Sequence, residues 1–271
     1  MVSVFEEVKH LKHIPRKRFG QNFLNSPGVI RKIVQAIGPK PDDLMVEIGP
    51  GLAALTEPLM EAVKHLHVVE IDRDLIAGLK ERFSPDKLTI HEGDALEFDF
   101  SQLIQTPERK LRVAGNLPYN ISSPLLFHLA EYADQVQDMH FMLQKEVVDR
   151  MAADPGSGEF GRLSVMLQYR YWIERLFIVP PGAFTPPPKV DSAIVRLIPK
   201  TPDQMQVCDV ALLGKVVTAA FGQRRKMLRK NLKDIADESL LESVGIAPTA
   251  RAEEVPVEAW VRLINALSAR H

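Results

Sequence analysis

The most informative segment of the sequence is residues 46–54, Val46-Glu47-Ile48-Gly49-Pro50-Gly51-Leu52-Ala53-Ala54. An apolar run comes before its glycines and a helical pattern comes after them, so Gly49, Gly51 and Ala54 fit the pattern G-x-G-x-x-[GA] at a strand-to-helix turn. A turn of this kind brings the backbone close to a bound nucleotide. The segment therefore predicts a parallel α/β sheet that binds a nucleotide at the carboxyl end of its first strand.

Apolar runs and helical patterns alternate around this turn, from about residue 27 to residue 150. Such alternation is typical of βαβ units with right-handed crossovers, which place helices on both faces of a parallel sheet. The predicted strands are Leu44–Ile48, Leu66–Ile71, Leu88–His91, Leu111–Ala114 and Met139–Leu143. The predicted helices span 28–37, 52–63, 74–83, 123–132 and 145–152.

Two later β-rich runs, Trp172–Val179 and Ser192–Ile198, are separated only by a proline-rich segment. Because no crossover helix fits between them, they predict an antiparallel pair at the edge of the sheet. After a linker at 199–206 the pattern becomes helical, at 207–221, 224–235, 238–244 and 256–268. The sequence thus predicts a Rossmann-like α/β domain over 1–200 and a small all-helical domain over 207–271.

Acidic residues accompany the first three predicted strands. Glu70 ends the second strand, 21 residues after Gly49, where a carboxylate can accept hydrogen bonds from ribose hydroxyls. Asp94 follows the third strand at the same edge of the sheet. NAD and S-adenosylmethionine both bind at sites of this kind. Glu47, two residues before Gly49, favours S-adenosylmethionine, because a carboxylate repels a pyrophosphate but suits the cationic methionine end of that cofactor.

The fourth predicted strand is followed by Gly115-Asn116-Leu117-Pro118-Tyr119, which resembles the Asn-x-Pro-[Tyr/Phe] motif of enzymes that methylate exocyclic amino groups of bases. An aromatic amine is a poor nucleophile because its lone pair is conjugated with the ring. Asn116 Oδ1 and the Leu117 carbonyl could accept its two N–H bonds and turn the lone pair toward the methyl donor. Pro118 would keep the turn rigid, and Tyr119 could stack on an extruded base.

Several separate motifs, in one order along the chain, resemble the ribosomal RNA adenine dimethylase family. They are Arg16–Leu24, Val46–Gly51, Asn116–Ser122, Met142–Glu146, Phe184–Ser192 and Gln223–Lys226. The resemblance implies transfer of methyl groups from S-adenosylmethionine to N6 of two adjacent adenines near the 3′ end of small-subunit (16S) rRNA. It also implies that the substrate is an assembling small ribosomal subunit rather than free RNA.

The same resemblance assigns roles to individual residues. Asn22 and Leu24 would touch the cofactor from the N-terminal segment, and Asn116 would bridge cofactor and target. The implied cofactor contacts are Asn22, Leu24, Glu47, Gly49, Gly51, Glu70, Asp94 and Asn116. The catalytic set is Asn116, Leu117, Pro118, Tyr119 and Phe184, with Phe184 against the target base opposite Tyr119.

The formal net charge is −1, from 34 basic and 35 acidic residues, which taken alone speaks against a nucleic-acid partner. The balance is nevertheless uneven: +6 over 1–40, −8 over 41–110, 0 over 111–200 and +1 over 201–271. Segment 223–233 holds six basic residues and no acidic one. At helical spacing Lys226, Arg229, Lys230 and Lys233 would share one face toward phosphates. The predicted RNA contacts are Arg16, Lys17, Arg18, Arg224, Arg225, Lys226, Arg229 and Lys230.

The cysteine count and the lengths of the apolar runs exclude several kinds of site and segment. A single cysteine, Cys208, excludes an internal disulfide or a multi-cysteine metal site. His10 with His13 and His65 with His67 show metal-like proximity, but no complementary ligands are recognisable. No apolar run approaches the roughly 18 residues of a membrane span, and no signal-peptide core is visible. We expect a cytoplasmic protein without metal or membrane contact. Since no apolar heptad pattern demands a partner, we expect a monomer, and we expect Trp172 and Trp260 in the core.

Three other functions stay open at this point. An NAD-dependent dehydrogenase would explain the glycine turn and Glu70 but would leave Asn116–Tyr119 and the basic segment without a role. An adenine methylase of large-subunit rRNA shares most of the motifs. A non-catalytic assembly factor would need the RNA contacts only, and the intact acceptor motif disfavours it.

Overall fold

The computed structural model describes residues 22–104, 106, 108–119, 121–206 and 208–270. Its main sheet has seven strands, which are β2 (Leu44–Ile48), β3 (Leu66–Glu70), β4 (Leu88–Glu92), β5 (Leu111–Asn116), β6 (Val136–Gln144), β7 (Tyr171–Val179) and β9 (Ser192–Pro199). Their order across the sheet is β4-β3-β2-β5-β6-β9-β7. A separate two-stranded ribbon pairs β1 (Phe23–Leu24) with β8 (Phe184–Thr185). Every strand expected from the sequence is present.

Strands β2 to β6 are parallel to their neighbours, whereas β9 runs antiparallel to β6. All five residues of β2 are buried, as expected for a central strand covered by helices on both faces. The parallel strands end at one edge of the sheet, and β2 lies between β3 and β5 there. The predicted Rossmann-like sheet with added edge strands is therefore confirmed.

Ten α-helices are seen among the described residues. They are α1 (Pro27–Ile37), α2 (Thr56–Ala62), α3 (Arg73–Arg82), α4 (Ser122–Ala130), α5 (Lys145–Met151), α6 (Arg162–Arg170), α7 (Val210–Phe221), α8 (Leu228–Asn231), α9 (Glu238–Ser243) and α10 (Val257–Ser268). Short 3₁₀ turns lie at Phe100–Leu103, Ala133–Gln135, Pro181–Ala183, Pro202–Gln204 and Ala252–Glu254.

Helix α2 begins later than predicted. The sequence suggested a start at residue 52, but the chain stays in a turn until Thr56. Gly49, Gly51 and Ala53 all adopt left-handed backbone conformations, with φ of 68°, 57° and 68°. A right-handed helix cannot include such residues. The turn therefore extends further along the chain than the glycine pattern alone indicates.

The chain divides into two compact units whose boundary differs from the predicted one. The first unit takes the described residues up to Val148 together with Glu174–Pro199, and the second takes Asp149–Ile173 and the residues from Lys200 onward. The predicted first domain, 1–200, had included 149–173. These residues join the second unit because Phe160, Val165 and Tyr169 belong to the same buried cluster as Leu213 and Trp260.

The basic segment is less helical than predicted. Only Leu228–Asn231 of the expected helix 224–235 is α-helical, and Met227 before it is extended, with ψ of 149°. The backbone N–H groups of Leu228 and Arg229 donate to the carbonyls of Ala250 and Pro248, which fixes where the short helix begins. The inference that Lys226 shares a helical face with Arg229 and Lys230 is therefore wrong.

The two tryptophans have different environments. Trp260 is fully buried in the core of the second unit, as predicted. Trp172 is 54% exposed, so its placement in the core is wrong. It lies near the start of β7, an edge strand of the sheet, and Lys200 Nζ lies 4.4 Å from the centroid of its ring.

Candidate functional site

A cavity of about 210 Å³ opens at the carboxyl ends of β2, β3 and β5, within the first unit. Its walls come from four stretches that are distant in sequence: the N-terminal segment, the glycine turn, the ends of β3 and β4, and the turn after β5. The predicted residues that line it are Asn22, Leu24, Glu47, Gly49, Gly51, Glu70, Asp94, Asn116, Leu117, Pro118 and Tyr119. The sheet topology thus brings all the predicted cofactor contacts, and all the predicted catalytic residues except Phe184, to one cavity.

The glycine turn forms the floor of the cavity. Gly49 donates its N–H to the Val69 carbonyl at 3.0 Å, which holds the turn against the end of β3. Gly51, at φ of 57°, packs so closely on Phe23 that a Cβ there would lie 3.3 Å from the ring. Both positions have a left-handed backbone, which favours glycine, and a Cβ at position 51 would also crowd the Phe23 ring. The turn can therefore approach a ligand through its backbone alone.

Glu47 lies beneath this turn and is only 1% exposed. Thr56 Oγ1 donates a hydrogen bond to Glu47 Oε2 at 2.7 Å. Burial raises the pKa of Glu47 to about 8, and the negative charge of Glu70 adds to the increase, although the hydrogen bond from Thr56 opposes it. Without a cation beside it, this carboxyl group is therefore largely protonated at neutral pH.

Glu70 and Asp94 present carboxylates at the ends of the next two strands. Glu70 Oε1 accepts hydrogen bonds from the Ile71 and Asp72 N–H groups, each at 2.9 Å. Burial nevertheless raises the pKa of Glu70. Asp94 Oδ1 accepts the Leu96 N–H at 2.9 Å. These backbone bonds fix both side chains, so the acidic groups are oriented before any ligand arrives.

The N-terminal segment closes the other side of the cavity. Strand β1 pairs with β8 so that Leu24 lies opposite Phe184, and Asn25 Nδ2 donates to Thr185 Oγ1 at 2.5 Å. Phe184 is 3% exposed and packs in a buried cluster with Leu24. It does not line the cavity itself, unlike the other predicted catalytic residues. The ribbon ties it to the cavity wall.

Asn116 ends β5 and reaches across to this N-terminal segment. Its Nδ2 donates a hydrogen bond to the backbone carbonyl of Asn22 at 3.0 Å. A carbonyl can only accept, so the amide nitrogen must face Asn22 and Oδ1 must face away from it. The Leu117 N–H donates to the Met142 carbonyl at 3.2 Å, which fixes the motif against β6. Asn116 Oδ1 is therefore left as a directed acceptor.

Tyr119 completes the motif and lines the cavity, and its hydroxyl lies 2.8 Å from Ser192 Oγ. Burial raises its pKa, so the phenol keeps its proton at neutral pH.

The sequence indicates no role for three residues that support the site, namely Ser192, Thr56 beside Glu47, and Phe23 beneath Gly51. Each of these residues lies in or next to one of the sequence motifs described above. Their contacts, however, join positions up to 73 residues apart, and no local sequence pattern predicts such contacts.

The predicted RNA contacts fall in two groups. Arg16, Lys17 and Arg18 lie outside the described residues. Arg225, Lys226, Arg229 and Lys230 are exposed, and Arg229 Nη1 lies 3.7 Å from Glu238 Oε1.

Arg224 is exposed as well, and its guanidinium also donates several hydrogen bonds within the second unit. Its Nε donates to Glu253 at 3.0 Å, and Nη2 donates to the carbonyls of Gly158 and Phe160. These bonds hold the 158–160 loop in place, so they give Arg224 a structural role.

Neither a metal centre nor a membrane span is found in the part of the chain that the structure describes. No group of three or more His, Cys, Asp or Glu side chains in these ranges could hold a metal ion. No helix among the same residues is both long enough and apolar enough to span a bilayer.

Comparison with known sequences places the chain among RNA-modifying enzymes. The family model described as Ribosomal RNA adenine dimethylase matches residues 12–269. A protein from Chromobacterium violaceum described as Ribosomal RNA small subunit methyltransferase A is 60% identical over 256 residues, 94% of this chain and 97% of that protein. A protein of the same description from Dechloromonas aromatica is 58% identical over 94% of this chain and 99% of its own length.

Two solved structures share the fold. A dimethyladenosine transferase from Plasmodium falciparum gives a TM-score of 0.79 at 26% identity, over 92% of this chain and 98% of that one. The 23S rRNA methyltransferase ErmE gives 0.71 at 26% identity, over 91% and 100%. These matches rule out the dehydrogenase alternative. The chain belongs to the ribosomal RNA adenine dimethylase family and is an S-adenosylmethionine-dependent rRNA adenine dimethyltransferase.

Proposed function

We propose that this enzyme dimethylates N6 of two adjacent adenines near the 3′ end of 16S rRNA, within a small ribosomal subunit that is still assembling. The observation that carries the chemistry is the orientation of Asn116, whose Nδ2 is bonded to the Asn22 carbonyl so that Oδ1 faces away as an acceptor. Support for the small-subunit substrate comes from relatives at 58–60% identity that bear that description, against 26% for the 23S rRNA enzyme.

The cavity residues fit S-adenosylmethionine chemically. Three acidic side chains line a site that must hold a cationic, hydroxyl-rich ligand, and the glycine turn lets the backbone approach it. We assign the methionine end to Glu47 and the turn at Gly49, the ribose to Glu70, and the adenine amine to Asp94. When bound, the cofactor supplies a methyl group on a sulfonium, which is already a good leaving group. Alignment of the acceptor nitrogen therefore remains as the main task of the protein.

The residues after β5 perform this alignment. Asn116 Oδ1 and the Leu117 carbonyl accept the two N–H bonds of the adenine amine, which directs the nitrogen lone pair toward the methyl donor. Tyr119 stacks on the extruded base, and Phe184, which is buried next to Leu24 of the cavity lining, supports the wall of the site from the β1–β8 ribbon. For the second transfer the monomethylated nitrogen has a single N–H left, so one acceptor suffices.

We assign binding of the ribosomal subunit to the second unit and to the N-terminal Arg16, Lys17 and Arg18. Exposed cations such as Arg225 and Lys226 contact phosphates and supply affinity that depends on salt rather than on sequence. The enzyme would act as a monomer in the cytoplasm, where small subunits assemble.

The test of this function uses cells that lack the gene. Small subunits from such cells should carry unmodified adenines at the two positions and should accept methyl groups from the purified enzyme. Fully mature subunits and free 16S rRNA serve as comparison substrates. If dimethyladenine instead disappears from the large-subunit rRNA of these cells, the large-subunit alternative is correct.

Cofactor affinity should depend on pH through Glu47. Its pKa of about 8 in the free protein means that binding a cation beside it releases a proton. Affinity should therefore rise with pH, by at most about tenfold per unit, until it levels off above pH 8. In the free protein the same raised pKa lowers stability as pH rises from 4.5 to 8, because the unfolded chain ionises first.

Calorimetric titrations with S-adenosylmethionine, at several pH values and in buffers of different ionisation enthalpy, measure this proton release. Glu47→Gln is the matched control, since it keeps an acceptor for Thr56 but cannot ionise. It should remove the part of the proton release that Glu47 causes. Equal proton counts for the wild type and the variant would contradict the assignment.

The exposed cations of the basic segment should govern the salt dependence of subunit binding. Arg225→Glu with Lys226→Glu should weaken binding, and the slope of log affinity against log salt should decrease by about one for each phosphate that is no longer neutralised. Filter binding across a salt series measures both quantities. Arg224→Ala is the comparison: its bonds to Glu253 and the 158–160 loop predict a lower melting temperature, and its salt slope shows whether the exposed guanidinium also neutralises a phosphate. An unchanged slope in the double variant would rule out this surface.

A further inference from the structure

Ser192 is a buried serine whose hydroxyl is directed at the catalytic motif. It is the first residue of β9 and is 0% exposed. Its Oγ lies 2.8 Å from the hydroxyl of Tyr119, which belongs to a different loop, 73 residues earlier in the chain. A buried hydroxyl needs a partner, and the tyrosine supplies one. The contact therefore links β9 to the turn after β5.

The backbone around Ser192 is firmly held. Ser192 pairs with Gln144 at the end of the antiparallel β6–β9 ladder. The carbonyl of the preceding residue, Asp191, accepts the Lys145 N–H at 2.9 Å. Neither contact involves the serine side chain, so the sheet fixes the Cα and Cβ atoms of Ser192 independently of Tyr119. Ser192 is thus a fixed point to which the tyrosine can be anchored.

Tyr119 is then held at both ends. Its backbone lies two residues after Leu117, whose N–H is bonded to the Met142 carbonyl. At the other end, the hydroxyl of its ring is bonded to Ser192 Oγ. The Cβ–Cγ bond and the hydroxyl oxygen of a tyrosine lie on one axis, so these two anchors fix the direction of that axis and hence χ1, whereas the backbone anchor alone leaves the ring free to change its χ1 rotamer. A stacking platform for an extruded base is useful only if the ring is held in one place relative to the acceptor at Asn116, because a small misplacement of the reacting nitrogen slows transfer strongly.

We propose that Ser192 is a positioning residue for methyl transfer, which acts by holding the Tyr119 ring in one χ1 rotamer through their hydroxyl–hydroxyl hydrogen bond. This proposal rests on the stacking role assigned to Tyr119 above. The bond gives a reason for the serine at the end of the Phe184–Ser192 motif. The hydroxyl makes no contact with the reacting atoms, and its effect passes entirely through the tyrosine.

A double-mutant cycle in single-turnover methylation of unmodified small subunits tests the proposal. Ser192→Ala and Tyr119→Phe each remove one end of the bond, and each should slow transfer about tenfold, the cost of one hydrogen bond. The double variant should be no slower than either single variant, since the bond can be lost only once. The dissociation constant of S-adenosylmethionine, measured by calorimetry, should stay the same in all three.

Ser164→Ala is the matched control. Ser164 is as buried as Ser192, but its hydroxyl bonds only to the backbone of Arg150 and Gly161 among the described residues. This variant should lose stability while it keeps the wild-type transfer rate. If Ser192→Ala slows transfer by the same factor in the Tyr119→Phe background, the proposal is overturned, because the serine would then act independently of the tyrosine.

Two further outcomes also decide the matter. If Ser192→Ala does not fold, Tyr119→Phe alone decides, and a wild-type rate for that variant overturns the proposal. If the enzyme methylates large-subunit rRNA instead, the proposed substrate is wrong, and the same cycle on that RNA decides the positioning role: coupling between the two residues supports it, and additivity overturns it. Failure of the function and failure of the positioning role thus give different results.

Discussion

Asn116→Ala should slow the first methyl transfer by about 10²-fold or more, the scale expected when a preorganised polar contact to the reacting group is removed. Cofactor affinity should change much less, because Glu47, Glu70 and Asp94 are oriented by bonds that do not involve Asn116. Single-turnover methylation of unmodified small subunits and calorimetric titration with S-adenosylmethionine separate the two effects.

The same variant tests how the two acceptors are used. If both serve the first transfer and one serves the second, the first step should suffer at least as much as the second. Parallel measurements on unmodified and monomethylated subunits compare them. A selective loss of the second step would contradict the scheme.

Asn116→Asp is the informative companion to the alanine variant. It keeps the Oδ1 acceptor but replaces the Nδ2 donor that faces the Asn22 carbonyl by a second oxygen, so that a negative charge would lie opposite a carbonyl oxygen. The side chain should turn away, and transfer should fall nearly as far as in the alanine variant. Near-normal activity would mean that the bond to Asn22 does not orient the acceptor.

Much of the site could be predicted because its residues follow strands. Glu70, Asp94 and Asn116 each come at or just after the end of a strand, and carboxyl ends of parallel strands meet at one edge of a sheet. Once the strands are read from their apolar runs, the meeting of these side chains follows. The residues needed for the cavity are thus marked locally in the sequence, although they are far apart along it.

The features that sequence reading missed are contacts that no local pattern marks. Arg224 is exposed like its neighbours, but it also bonds to Glu253 and to carbonyls of the 158–160 loop, 29 to 66 residues away. Segment 149–173 follows a predicted sheet strand, but Phe160 and Val165 pack with the C-terminal helices. In both cases long-range contacts determine where the residues pack, and the periodicity of the sequence carries no information about such contacts.

Gly115 has a structural requirement that the sequence does not reveal. Nothing in the local pattern indicates a task for it beyond membership of the Gly115–Tyr119 turn. In the structure it lies in β5 beside the end of β2, where a Cβ would come within 2.5 Å of the Ile48 carbonyl oxygen and 3.1 Å of Leu117 Cδ2. The first contact is with backbone, which has no rotamer to change. The two strands must therefore separate locally if any side chain is added.

Gly115→Ala should consequently destabilise the protein by about 2 kcal/mol or more, at the upper part of the range for overpacked sites. The strands can separate only by displacing Gly49, which follows Ile48, and Asn116, which follows Gly115, so the cofactor turn and the acceptor should both move. We expect cofactor affinity to fall at least about tenfold and transfer to be nearly lost, since reacting groups tolerate little displacement. Thermal unfolding, calorimetry and single-turnover methylation measure the three effects.

Gly28→Ala provides the matched control, because Gly28 lies in α1 and a Cβ there would meet nothing within 4 Å. It should keep or slightly increase stability, as expected for alanine in a helix. If Gly115→Ala melts and binds cofactor like the Gly28 variant, close strand contact is not what requires a glycine before Asn116. If it loses stability but retains full affinity and transfer, the strain relaxes away from the cavity, and the proposed link between the two strand ends fails.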